Sequence, residues 1–307
     1  MSDRYASSRE PLAIVGMGCR LPGGNKSPNQ FWEFLLAKKS GITPIPNDRW
    51  NIDRYFDDNP DGIGTSVAKW GGFLDDIREF DCQFFGISPR EAASMDPQQR
   101  LLLQVTYEAV EDSRTSLRDL VQGQTGVFVG ASQSDYRTIQ ELRPSNPEAF
   151  AGNGYAMCIN ANRISHRLNL SGPCFTVDTA CSSSMVALNQ AEQSLRVQSC
   201  DVAIVAGVNI IAHPSSYIAF SRAGMLSGTG AISTFDSRAN GFVRAEAVGV
   251  VIIKPLSKAR VDGDRIHALL HATACTQDGQ TPPPCSQVDL LQLQIDLARY
   301  FQRSGSR

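Results

Sequence analysis

Apolar and polar positions alternate between two periods along this chain. Leu12-Ala13-Ile14-Val15 is a compact apolar run and predicts a strand. Ser27-Pro28-Asn29-Gln30 predicts a helix start: Ser27 caps, Pro28 takes the first position and Gln30 completes a capping box. Phe31, Phe34, Leu35 and Lys38 continue that helix, and Gly41 marks its end. From Pro44 to Gly72, Pro, Asp, Asn and Gly dominate, so loops are expected there, pinned by Trp50, Tyr55, Phe56 and Trp70. Asp96-Pro97 opens a second helix in which Gln99 reaches back to the cap; Leu102, Val105, Ala109 and Val110 form its apolar face. Thr125 to Gly130, Asp201 to Val208 and Val248 to Ile253 read as buried strands, and Asn153 to Arg167 as helical. Phe175 and Val177 alternate with Thr176 and Asp178 in a short strand. Met185, Leu188, Ala191 and Leu195 then recur at helical spacing. Ile266 to Thr273 predicts one more strand, and Val288 to Phe301 a short helix. Strands alternating with helices through residues 12–254 argue for a layered α/β fold.

Composition excludes little. The 307 residues are 42% hydrophobic and 20% charged, enough to bury a core. A net charge of −2 and the lack of a basic cluster give no reason to expect nucleic acid as a partner. The polar first ten residues hold no signal peptide, and no run of 18 apolar residues suggests a membrane span. The eight cysteines form no C-x-x-C pair and lie in apolar segments, so reduced thiols in a cytoplasmic protein are expected rather than zinc or disulfides. Gly16-Met17-Gly18 is not spaced as G-x-G-x-x-G, and no Gly-Lys-Ser/Thr follows, so a nucleotide loop is not supported.

The candidate chemistry lies at Cys181. Strand, tight turn and helix place this thiol near a helix N-terminus, where the dipole and unpaired N–H groups favour the nucleophilic thiolate. The same amides suit an oxyanion, and Thr179, Ala180 and the serines after Cys181 let a carbonyl come close. A lone cysteine in such a place is ordinarily a small buried hydrophobe. The surrounding residues change that reading. Asp178-Thr179-Ala180-Cys181-Ser182-Ser183-Ser184 resembles the nucleophile motif of β-ketoacyl synthases of the polyketide synthase type. Further resemblances are Ile14 to Gly23, Phe84 to Ala92, Met95 to Arg100, and Asn240 to Ala247. They cover the chain from about Pro11 to Gly279, where Thr276-Gln277-Asp278-Gly279 stands for the family's Asn-Gln-Asp-Gly.

The resemblance implies a thiolase-like layered αβαβα fold. Residues 1–9 would be a flexible tail, 10–255 the N-terminal ketosynthase half, and 256–307 the start of a truncated C-terminal half. It implies an acyltransferase in which Cys181 takes an acyl group and then condenses it, with decarboxylation, onto a malonyl thioester. The substrates are acyl and malonyl thioesters carried on the phosphopantetheine of acyl carrier protein or coenzyme A. No cofactor is held permanently, no metal, nucleic acid or membrane is involved, and the family forms homodimers. The chain also departs from the pattern. Ala245 and Ala247 replace glycines, whose added methyls are expected to strain that turn. The family's His-Gly-Thr-Gly-Thr and Asn-Ile-Gly-His motifs, with a nearby lysine, do not occur, and the two histidines they carry drive decarboxylation and hold the enolate. His166, His213, His267 and His271 fall outside those motifs and read as structural, as does Glu246. A second reading follows: a degenerate or cut-short ketosynthase fragment that does not condense and acts as a binding or dimerising partner.

Overall fold

The structure, a computed structural model, describes residues 10–142 and 150–277. Strand β1 (Leu12–Arg20) leads into α1 (Pro28–Leu36), and β2 (Ile42–Pro44) pairs antiparallel with β3 (Trp70–Gly72). Helices α2 (Pro89–Ser94), α3 (Pro97–Ser113) and α4 (Leu117–Gln122) precede β4 (Thr125–Gly130). Next come α5 (Asp135–Glu141), α6 (Ala151–Tyr155), α7 (Ile159–Leu168), β5 (Cys174–Val177) and α8 (Ser183–Arg196). The chain continues through β6 (Val202–Asn209), α9 (Ser215–Arg222), β7 (Ala247–Pro255), α10 (Leu256–Val261) and β8 (Ala268–Leu270).

Six strands form one mixed sheet in the order β5-β4-β6-β7-β1-β8. Strand β4 runs parallel to β5 and β6, whereas β7 is antiparallel to both β6 and β1. Helices cover both faces, and the strands show it with period two. Val127 and Val129 of β4, with Ile204 and Ala206 of β6, join the core beneath α3 and α7. Phe128, Ala203 and Val205 join the opposite core, beneath Ala187, Ala191 and Leu195 of α8. The early glycines serve this packing. A Cβ on Gly16 would lie 2.3 Å from Ala109 O, so β1 runs on through the glycines and α3 rests directly on its backbone.

The N-caps form as expected, but neither glutamine closes a capping box. Ser27 accepts from Gln30 N–H, while the Gln30 side-chain carbonyl accepts from Lys26 N–H at 2.8 Å. Asp96 caps α3 through Gln98 N–H at 2.8 Å. Gln99 does not reach back: its amide donates to Asn153 O and Gly154 O, and its carbonyl accepts from Arg163. Helix α1 stops before Gly41 because Lys38 already takes the left-handed turn, at φ 52°. The stretch expected to be helical from Asn153 to Arg167 is two helices, broken at residues 156–158. Strand β8 covers only Ala268–Leu270 of the longer strand expected, and the helix expected over Val288 to Phe301 lies outside the described residues. Trp50 does pin the excursion, meeting Tyr217 edge-on at 5.5 Å and Phe73 at 6.4 Å.

The turn before β7 is not strained: neither Ala245 nor Ala247 has a positive φ. Beside it, Glu246 is fully buried and accepts four hydrogen bonds. Arg49 donates to both carboxylate oxygens at 3.0 Å, Leu74 N–H donates at 2.8 Å and Ile211 N–H at 3.0 Å. Every acceptor direction is used, which makes this carboxylate structural. Replacing Glu246 by Ala would leave two buried backbone donors unpaired and leave the Arg49 guanidinium, whose side chain is 2% exposed, only Asp48 and the Leu74 carbonyl as partners. A loss of about 3–5 kcal/mol is expected in urea unfolding, and Glu246→Gln should also destabilise, because its NH2 group would face two N–H donors. Equal midpoints for Glu246→Ala and the native chain would show that the pair carries no stability.

Candidate active site

The parallel strands β4 and β5 end together, with Gly130 in register with Val177 on one side and Gly207 on the other, and β6 runs two residues further, to Asn209. Just beyond this edge the chain makes the turn that holds Cys181. Asp178 and Thr179 leave β5, Ala180 takes φ 54°, and one 3-10 turn over Ala180–Ser182 runs into α8. The strand–turn–helix expected from the sequence is therefore present, with Cys181 exposed at its tip. Outside the carboxyl ends of parallel strands is where α/β sheets place their ligands.

Hydrogen bonds close the turn from within. Ala180 N–H donates to Asp178 Oδ1 at 2.9 Å, and Thr179 N–H to Ser183 Oγ at 2.9 Å. Ser183 Oγ donates to Ala180 O at 2.7 Å, and Ser182 Oγ to Thr179 O at 2.9 Å. Ser182 sits at the cap position of α8 but gives its helix no side-chain hydrogen bond. The first-turn amides are thus left without a hydroxyl cap from it, beside the thiol, where a partial positive charge is expected. The helix reaches this position because Gly130 has no side chain: a Cβ there would lie 2.3 Å from Ser184 N and 2.4 Å from Ser183 C. The predicted apolar face of α8 is turned by one position at its start. Met185 is 63% exposed, and the buried residues are Ser183, Ala187, Asn189, Ala191, Glu192 and Leu195.

Burial sets the thiols apart. Cys200 lies under the sheet and burial pushes its thiol up to about 11; burial also raises Cys174 and Cys19. Among the described residues Cys158, Cys181 and Cys275 are the exposed thiols, and all seven described cysteines are free.

The histidines are elsewhere. His166 is in the last turn of α7, whose first turn is the part that meets β5, through Ala161 N–H and Thr176 Oγ1. His213 is at the same end of the sheet as Cys181, but its Nδ1 accepts from Ser215 N–H in its own loop. His267 pairs with Asp112 of α3 at 2.8 Å beside β1. The His271 carbonyl accepts from Arg196, at the far end of α8, about 20 Å from the turn. None is brought to the thiol. Near the strand ends lie Asp96 and Asp135. Ser134 Oγ and Gln98 N–H donate to Asp96, and burial still lifts its carboxyl; Asp135 accepts from Ala212 and His213 N–H, and burial lifts it likewise.

A family profile described as "Beta-ketoacyl synthase, N-terminal domain" matches residues 9–259. The chain belongs to the β-ketoacyl synthase family. It is 46% identical over 290 residues to a phenolphthiocerol/phthiocerol polyketide synthase of Mycobacterium bovis, covering 92% of this chain and 15% of that protein. It is 43% identical over 287 residues to a different phenolphthiocerol/phthiocerol polyketide synthase polypeptide, from Mycobacterium tuberculosis, covering 92% and 19%. Among solved structures it resembles a cysteine-to-serine mutant of the ketosynthase from module 6 of the Bacillus subtilis bacillaene synthase. There the TM-score is 0.85 at 36% identity, over 96% of this chain and 49% of that one. The oxazolomycin ketosynthase domain of Streptomyces albus gives 0.80 at 36%, over 85% and 45%. The mixed sheet with helices on both faces is thus the thiolase-like α/β arrangement of ketosynthases, and the chain spans about half the length of these ketosynthase structures. Among the described residues no helix is long and apolar enough to cross a membrane.

Sequence reasoning took Ala180 and the serines after Cys181 only as small residues and gave Ser183 no separate role. Three serines in a row give no sign of which one turns inward, and only the structure shows it. In this chain, Gly130→Ala is expected to push back the first turn of α8, since the atoms it meets are backbone. Stability should fall by about 1–3 kcal/mol and alkylation of Cys181 should slow relative to Cys158. Unchanged unfolding and unchanged alkylation would mean that α8 does not depend on that contact.

Proposed function

We propose that this chain is the nucleophile-bearing part of a polyketide-type ketosynthase and that Cys181 is its acyl acceptor. The observation that carries the reading is the exposed Cys181 at a strand-to-helix turn, in a chain of this family, while its neighbours Cys174 and Cys200 are lifted by burial. The Cys181 thiolate attacks the carbonyl carbon of an acyl thioester held on acyl carrier protein or coenzyme A. The oxygen becomes an oxyanion beside the first-turn amides of α8. Collapse expels the phosphopantetheine thiolate and leaves the acyl group on Cys181.

In the second stage a malonyl thioester loses carbon dioxide, and its enolate carbon attacks the acyl group on Cys181. The Cys181 thiolate is released, and a β-ketoacyl thioester remains on the carrier. No permanently bound cofactor takes part. Residues 10–255 form the N-terminal ketosynthase part and 256–307 open the second. The enzyme works in the cytoplasm as a homodimer, which is supported by the outer edge of β5, unpaired among the described residues and carrying the exposed Phe175.

Two measurements test this. Incubation with an acyl thioester, followed by peptide mapping, should label Cys181 and leave Cys174 and Cys200 free, and Cys181→Ala should abolish the label. Label on Cys174 or Cys200 with none on Cys181 would refute the assignment. The 307-residue chain by itself should acylate without condensing, because the enolate oxygen needs hydrogen-bond donors, each typically worth about 3 kcal/mol. The two family histidine motifs are not among these residues, and none of the four histidines is brought to Cys181. Carbon dioxide release from malonyl carrier protein should therefore stay at background with or without an acyl primer. Primer-dependent release that Cys181→Ala removes would show that other groups supply those donors.

A further inference from the structure

The turn that carries Cys181 holds a backbone conformation that its sequence does not favour. Ala180 has φ 54°, where a Cβ crowds the following carbonyl. Glycine adopts this region freely; alanine has to be held there. Ser183 is buried and placed to hold it. Its Oγ accepts from Thr179 N–H at 2.9 Å and donates to Ala180 O at 2.7 Å, so one hydroxyl ties both ends of the Thr179–Ala180 pair to the start of α8. Asp178 Oδ1 secures Ala180 N–H between them at 2.9 Å. The neighbouring hydroxyl does something else: Ser182 Oγ bonds Thr179 O and Thr179 Oγ1 at the surface.

We propose that Ser183 is a positioning residue for Cys181: its hydroxyl bridges Thr179 N–H and Ala180 C=O, keeps Ala180 left-handed, and thereby aims the thiol outward at the start of α8. The inference rests on the reading of Cys181 as the acyl acceptor. Ser183 does not touch the thiol and acts through the backbone. Without the bridge, Ala180 relaxes toward negative φ, and the peptide plane leading into Cys181 rotates with it. A residue with no Cβ at position 180 has no such tendency and keeps the turn without the hydroxyl. The cost of losing Ser183 therefore depends on what occupies position 180, which packing alone does not predict.

A double-mutant cycle reads this directly. The native chain, Ser183→Ala, Ala180→Gly and the double variant are alkylated with iodoacetamide. Modification of Cys181 is followed by peptide mass, with the exposed Cys158 and Cys275 of the same molecule as references. In the native background Ser183→Ala should slow Cys181 about 5- to 30-fold, the ratio that matches the left-handed penalty of a residue with a Cβ. In the Ala180→Gly background the same change should slow it by no more than about twofold. Acyl transfer from an acyl thioester should follow the same order. A native rate in Ser183→Ala overturns the proposal, and so does an equal loss in both backgrounds. If Ser183→Ala does not fold, the double variant decides. Folded and slowed no more than about twofold relative to Ala180→Gly, it supports the bridge; unfolded or slow, it rejects it. The reading of Cys181 fails separately: alkylation then shows the predicted coupling, yet acyl thioester leaves no label on Cys181 in the native chain.

Discussion

The first turn of α8 rests on the bare backbone of Gly130, and much of the site follows from that contact. Gly130 is paired with Val177 and Gly207, so the place where the helix touches the sheet is also where β4 and β5 stop. The chain has to climb from the end of β5 to the start of α8 within a few residues. It makes that climb by a left-handed step at Ala180 followed by a single 3-10 turn. The position of Cys181 is thus a result of how closely helix and sheet approach. A side chain at Gly130 would lift the helix, lengthen the climb and move the thiol, although it would touch neither the thiol nor a substrate.

Charge buried around β7 frames the other side of the sheet. Glu246 lies just before the strand and Lys254 near its end. Glu246 gathers Arg49, Leu74 N–H and Ile211 N–H, three segments far apart in sequence, into one contact. Lys254 Nζ meets Asp262 at 2.9 Å and Asp264 at 2.5 Å, which folds α10 and its following turn back on the strand. A buried ion pair is a poor source of net stability compared with apolar packing. Its directional demand is what distinguishes it: each partner accepts one arrangement of its neighbours. The long excursion between β2 and β3 has few regular hydrogen bonds of its own, and this contact with the Trp50, Phe73 and Tyr217 cluster fixes its path.

Much of this arrangement was legible in the sequence. The buried strands declared themselves by apolar runs, and the caps at Ser27 and Asp96 by residue type. Cys181 was legible through its strand–turn–helix setting and the motif around it. What was hidden depended on tertiary contact. Lys38 ends α1 before Gly41 because a left-handed terminus needs only one willing residue, and pattern does not say which. Met185 has the right spacing for the core but sits where the first turn of α8 faces outward, while small Ser183 takes the inward place against the turn. The replacement of family glycines by Ala245 and Ala247 suggested strain, yet neither position needs a positive φ. Composition cannot separate a glycine that enables a conformation from one that is only tolerated.

The same packing separates Cys181 from Cys174 and Cys200, though Cys158 and Cys275 are exposed as well. Cys174 opens β5 and Cys200 leads into β6, so both lie where the sheet is covered, and removing water raises the cost of their charged forms. Cys181 comes after the last strand residue, past the point where neighbouring strands and helices exclude water. Strand, turn and helix therefore do two things in one stroke: they carry this sulfur out of the core, and they bring it to the N-terminal end of a helix. Nothing in that step supplies a proton donor or acceptor beside the thiol. A thioester leaving group departs without protonation, so nucleophile placement and oxyanion stabilisation are enough for acyl transfer. In the proposed reaction, decarboxylation develops its charge on a second substrate, and no geometry of Cys181 alone can stabilise it. On that reading the acceptor is built by backbone at one sheet edge, and the enolate requires donors from elsewhere.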